Sequence, residues 1–160
     1  MSDQTLTLSR RYDAPRALVW TVWTDPDHVA AWWGPFGPEQ TRCDIEATVG
    51  GLFHVAMRAP DGSEHPSKGV IREMIAGEKL VIEGDADATD ACGAGLPPRA
   101  VVTVLFEDDA GGTLLTLIAR FLSAEAREAA TESGYVVSWR ETLEALAPYL
   151  DTMADTRSAL

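Results

Sequence analysis

The chain has 160 residues, 46% of them hydrophobic, with 25 acidic against 13 basic side chains and a formal net charge of -12. That length suits one domain burying roughly 70% of the surface its unfolded form exposes, and the acid excess repels phosphate backbones and anionic lipid, which argues against nucleic-acid and membrane-surface roles. Two cysteines outside C-x-x-C spacing, no basic-then-apolar leader and no apolar run of about 18 residues point to a soluble, cytoplasmic protein in a reducing compartment.

Thr5 to Tyr12 alternates, with Leu6 and Leu8 on one side and Thr7 and Ser9 on the other, and predicts a half-buried strand. Asp13-Ala14-Pro15 supplies a capping side chain and a ring suited to a first helical turn, ahead of an apolar run that carries a helix to about Thr24. Asp25-Pro26-Asp27 repeats the signal, and His28 to Trp33 predicts a second short helix, stopped by the Gly34 to Pro38 stretch.

From Thr41 to Leu122 the period changes to two, and turn residues divide it into six antiparallel strands. They run about 40 to 48, Leu52 to Ala59, Lys68 to Ile75, Lys79 to Glu83, Arg99 to Phe106 and Thr113 to Leu122. Gly84 to Pro98 reads as a long exposed loop, and the acidic turn Glu107 to Gly112 as a solvated tip. Ser123 can cap a helical segment from Ala124 to about Thr131, with Gly134 as a loosened junction before the last run.

That last run, Tyr135 to Leu150, places Tyr135, Val136, Trp139, Leu143, Leu146 and Leu150 within one stripe about 100° wide, with Arg140, Glu141 and Glu144 off it. It predicts a long helix with an aromatic inner face. Pro148 lies outward but removes an amide donor, so a kink or early end is expected near it, with 151–160 a frayed tail. No repeat or linker divides the chain, and one domain over 5–150 is expected.

The order strand, two short helices, six antiparallel strands and long C-terminal helix resembles the α+β helix-grip fold of START-like (SRPBCC) domains, a curved antiparallel sheet of about seven strands wrapped around a long C-terminal helix. The resemblance becomes specific at Trp32-Trp33-Gly34-Pro35, Gly50-Gly51-Leu52-Phe53, Pro60-Asp61-Gly62, Gly69 to Glu73, Gly112 to Thr116, and Gly134-Tyr135 with Trp139 and Leu143. On these motifs the chain is similar to the bacterial branch of the AHSA1 family, named for the activator of the Hsp90 ATPase. In the eukaryotic activators a separate N-terminal domain makes much of the chaperone contact, and four residues precede the first strand here, so a chaperone partner stands by analogy only.

The residues themselves supply no familiar catalytic set. There is no G-x-S-x-G elbow, and His28, His54 and His65 form no zinc or metalloprotease spacing. Asp85, Asp87 and Asp90 lack the glycine and distal glutamate of an EF-hand, and Gly93-Ala94-Gly95 opens a strand rather than a helix. No metal or cofactor is implied. A bridge between Cys43 and Cys92 stays open at this stage.

What remains is a cavity between sheet and helix, lined by Phe53, Val55, Met57, Glu73, Tyr135 and Trp139, with Trp33 and Phe36 at its entrance and the 84–98 loop as a lid. The leading expectation is a noncatalytic module for an apolar or amphipathic small molecule, its polar end fixed by Tyr135 and Glu73. The alternatives are a START-like enzyme using Glu73 as acid or base, and an interaction domain. The last would be a homodimer or a chaperone-associated, stress-response protein docking through a Trp32-Trp33-Phe36 patch. Glu73 and Arg120 must each face outward and be solvated or face inward and be paired, with outward the default for charged side chains.

Overall fold

A computed structural model describes residues 4–32, 41–62, 64–84, 100–132 and 135–158, apart from the side chains of 57, 64–67, 135, 138 and 153–158. The predicted elements occur in the predicted order. They are β1 (Thr5–Tyr12), α1 (Arg16–Thr24), α2 (Pro26–Trp32), β2 (Thr41–Ile45), β3 (Leu52–Arg58) and β4 (Glu64–Ile75). Then follow β5 (Lys79–Gly84), β6 (Val101–Asp109), β7 (Gly112–Arg120), α3 (Ala124–Glu132) and α4 (Tyr135–Ser158).

One seven-stranded sheet has the order β1-β7-β6-β5-β4-β3-β2. Strands β2 to β7 form a meander of consecutive antiparallel pairs, and β1 adds to its far edge by pairing antiparallel with β7, Thr5 opposite Arg120 and Tyr12 opposite Thr113. The chain leaves β1 at one edge of the sheet and re-enters it at the opposite edge through β2, so α1 and α2 must cross the sheet between them. The face they cross is the one that alternation makes apolar: Leu80 and Ile82 of β5, Val102 and Val104 of β6, and Leu115 and Leu117 of β7 are all buried. α4 lies over the same face, in contact with β1, α2 and α3.

The two helix starts differ. Asp25 caps as predicted, accepting from the Asp27 amide at 2.9 Å. Asp13 does not cap: α1 begins from Pro15 without a side-chain cap, because the Asp13 carboxylate takes the Arg11 guanidinium instead. Ser123 caps α3 through the Ala126 amide at 3.1 Å.

Several boundaries move for physical reasons. β4 starts at Glu64 rather than Lys68, passing through Pro66, which pairs with Ala56. The β4–β5 ladder begins only at Gly69, so among the described residues Pro66 has a strand on one side alone, where a missing amide is tolerated. The acidic turn after β6 is exposed as expected, and it is also tied to the rest of the fold. The hairpin closes on Ala110 and Gly111, with φ of 48° and 85°, the two positive values a type I′ turn requires. Asp109 and Asp108 then reach Arg11 and Arg16, tying the hairpin to the β1–α1 junction.

Pro148 does not end α4, since one helix runs from Tyr135 to Ser158. Its ring is exposed, while Leu146 and Leu150 on either side are buried and Tyr149 bonds to His28 of α2. Packing on both sides of the proline outweighs the lost hydrogen bond. The long loop after Gly84 and the Gly134 junction fall outside the described residues.

Candidate functional site

The site is built from the inner face of the sheet, α4 above it and α1 beside them. Trp139 projects from α4 and is fully buried, stacked on Trp23 of α1 with ring centroids 6.0 Å apart and planes 11° from parallel. Trp23 continues the aromatic array to Trp32 of α2 at 4.9 Å and to Phe106 of β6 at 6.5 Å. The helix stripe read from sequence holds from Trp139 onward: Trp139, Leu143, Leu146 and Leu150 are buried and Val136 half-buried, while Arg140, Glu141 and Glu144 are exposed.

Register decides which strand residues share this face. Phe53 lies opposite Ile45 and Gly69, Val55 opposite Cys43 and Ser67, and both Phe53 and Val55 are fully buried on the inner side. Met57 continues their row opposite Thr41 and His65, its side chain being outside the described set. Trp33, Phe36 and the Tyr135 side chain also lie outside it. Trp32 is no part of an exposed aromatic patch: it is buried and donates its indole N–H to the Val22 carbonyl at 2.8 Å.

Glu73 is not on the inner face. Strict alternation from buried Ile71 would carry it inward, but the β4–β5 register shifts between Ile71 and Glu73, leaving Arg72 as an extra residue. The bulge reverses the phase, so Glu73 pairs with Val81 on the outer face and Met74 with buried Leu80 on the inner one. There the Glu73 side chain is 46% exposed and meets Lys79 at 2.8 Å, as a carboxylate without an inner partner must. Arg120 is also outward and exposed, and His54 alternates away from Phe53 and Val55, between Asp44 and Lys68.

Inner-face polar groups near α4 that the sequence reading passed over come from β1. Tyr12 donates its buried hydroxyl to the Leu143 carbonyl of α4 at 2.6 Å, and burial pushes its phenol well above the usual range. Arg10, two residues back on the same side, holds its guanidinium 5.7 Å from the Tyr12 ring centre and 3.7 Å from Glu144. Both follow from the alternation that put Leu6 and Leu8 inward, extended by four residues. Thr113 donates to the Ala14 carbonyl at 2.7 Å. On the opposite edge, Cys43 is a free thiol pushed up to about 12, chiefly by burial and then by Asp44 and Asp27. Such a thiol is protonated at neutral pH and no nucleophile. Cys92 lies outside the described residues.

Among the described residues no group of three or more His, Cys, Asp or Glu is placed to hold a metal. No helix of the described residues is long and apolar enough to cross a membrane.

A seven-stranded antiparallel sheet covered by a C-terminal helix, with two helices inserted after the first strand, defines a helix-grip protein. The chain belongs to the family of activator of Hsp90 ATPase homolog 1-like proteins, whose model matches residues 13–151. Among solved structures, a protein from Nitrosomonas europaea superimposes with a TM-score of 0.80 at 21% identity, covering 97% of this chain and 99% of that one. A Mycobacterium smegmatis protein gives 0.79 at 22% identity, covering 95% and 94%. An AHSA1-like protein from Aeromonas hydrophila gives 0.67 at 19% identity, covering 94% of each chain. These identities carry the fold alone. No curated protein matches the sequence significantly.

Proposed function

We propose that this chain is a noncatalytic binding module for an apolar or amphipathic small molecule, held between the inner sheet face and α4. The observation that carries the reading is the continuous apolar inner face, gripped by a helix whose Trp139 is stacked on Trp23. Ligand sites are typically apolar walls with a few polar groups that fix orientation, and this interior has that composition. The noncatalytic part rests on chemistry: the Tyr12 and Thr113 hydroxyls are engaged in buried hydrogen bonds, Cys43 is protonated, and Glu73 is paired on the outer face.

Phe53, Val55 and Trp139 have no solvent-accessible surface, so a ligand reaches them only when the grip opens. Half-buried inner positions, Leu6 and Leu8 on β1, Cys43 and Ile45 on β2 and Met74 on β4, mark where opening is cheapest. The test is titration with a diverse set of hydrophobic compounds, read by NMR at the Trp139 indole and by thermal shift. Binders should raise the melting temperature and move the Trp139 signal. An indole signal that no compound moves would end this reading.

A further inference from the structure

Pro148 interrupts the hydrogen bonding of α4 at one place. It has no N–H to offer the Glu144 carbonyl four residues back, and its ring crowds that oxygen. One turn further on, the Thr152 hydroxyl donates to the Pro148 carbonyl at 3.0 Å, a back-bond that competes with the helix's own ladder and favours bending. The weak stretch of α4 therefore runs from Glu144 to Thr152.

The ties that hold α4 fall on either side of Pro148 and lead to different elements. On the N-terminal side, Trp139 is stacked on Trp23, the Tyr12 hydroxyl donates to the Leu143 carbonyl and Arg10 faces Glu144, so α1 and β1 hold this half. On the C-terminal side, the Tyr149 hydroxyl and His28 Nδ1 lie 2.5 Å apart, with the two rings edge to face at 5.9 Å, so α2 holds the first residue past the proline. α2 packs in turn on β2, where Cys43 and Ile45 are half-buried, and its Asp27 is near enough to help raise the Cys43 thiol. Among the described side chains past Pro148 only Leu150 is fully buried, so freeing this end of the helix exposes little apolar surface.

We propose that α4 past Pro148 is a strap, hinged at 144–148 and latched to α2 by Tyr149 and His28, whose release opens the α2–β2 end of the interior while the Trp139 stack stays closed. Local opening of this kind is expected where few buried contacts and one polar tie hold a segment beyond a helix break. The strap goes beyond the binding-module reading, and its opening is read without a ligand, so either can fail alone.

The experiment is amide hydrogen exchange on the full chain, with thiol labelling of Cys43 in a Cys92→Ser background as a second readout. Amides 149–152 should exchange at least about tenfold faster than 140–143, after correction for intrinsic rates. Pro148→Ala restores a donor at an exposed position and should close most of that gap. Tyr149→Phe keeps the ring and removes the latch hydroxyl; it should speed both 149–152 and Cys43 labelling about fivefold, leaving 140–143 within about twofold. Tyr12→Phe, which unties the other half, should leave Cys43 labelling within about twofold. If 140–143 and 149–152 exchange alike, or Pro148→Ala leaves the difference between them unchanged, α4 is one rigid unit and the strap is refuted. Equal acceleration of Cys43 labelling by Tyr12→Phe and Tyr149→Phe refutes the latch, because a general loss of stability then accounts for both.

Discussion

Leu117 and Leu8 face each other across the β7–β1 ladder, and yet one is buried and the other half-open. The pair summarises two regions of the inner face: a centre sealed by the Trp23–Trp139 stack, and a β1 rim that, among the described residues, is covered by α3 and the middle of α4. Residue type does not separate them. What differs is cover, because α1 crosses the central strands and contacts β6 and β7, whereas β1 has α3, a helix with no fully buried side chain. The centre carries stability, and the β1 rim, like the half-buried positions of β2 and β4, can open at lower cost.

The comparison breaks if the centre tolerates truncation. Trp139→Ala should have the largest effect, about 3–5 kcal/mol less stable in urea unfolding, since it removes a fully buried ring and its stacking partner's contact. Leu117→Ala should cost about 3 kcal/mol against about 1 kcal/mol for Leu8→Ala, measured the same way, because only the first leaves a closed cavity. Equal losses would show the rim to be as tightly packed as the centre. Tyr12→Phe, which unties β1 from the Leu143 carbonyl, should cost about 1 kcal/mol and raise amide exchange in the middle of α4.

The smallest effect at neutral pH comes from the β2 edge. Cys43 keeps its proton in the folded state up to about 12 against an ordinary value of 9.0. The folded chain therefore binds the extra proton, and this stability is present below pH 9 and lost as pH rises toward 12. Tyr12 and Tyr149 are raised in the same direction and add to the alkaline loss. In a Cys92→Ser background, Cys43 should react with a thiol reagent at pH 8 far more slowly than an unfolded control. A rate matching the control would show that the β2 edge does not shield it.

How much of this was legible in sequence depends on whether a local signal competed with a distant partner. β1, α1, α2 and the buried stripe of α4 were legible, because period and turn chemistry act within a few residues. Asp25 capped as read, but Asp13, in a similar setting, was drawn away by Arg11. Pro148 carried a correct local cost that packing of Leu146, Tyr149 and Leu150 overrode. The outward default for Glu73 held, whereas its place among the lining residues did not, because a bulge is a property of two paired strands, and one strand read alone keeps its phase.

By itself the sequence determined the order of elements, the apolar faces and, through its motifs, the helix-grip family, since each depends on spacing along the chain. Only the tertiary structure decided that Glu73 turns outward, that Trp139 meets Trp23, and that the Tyr12 hydroxyl reaches the Leu143 carbonyl. Those are relations between residues far apart in sequence. Register, cover and packing set them, and no local pattern encodes any of the three.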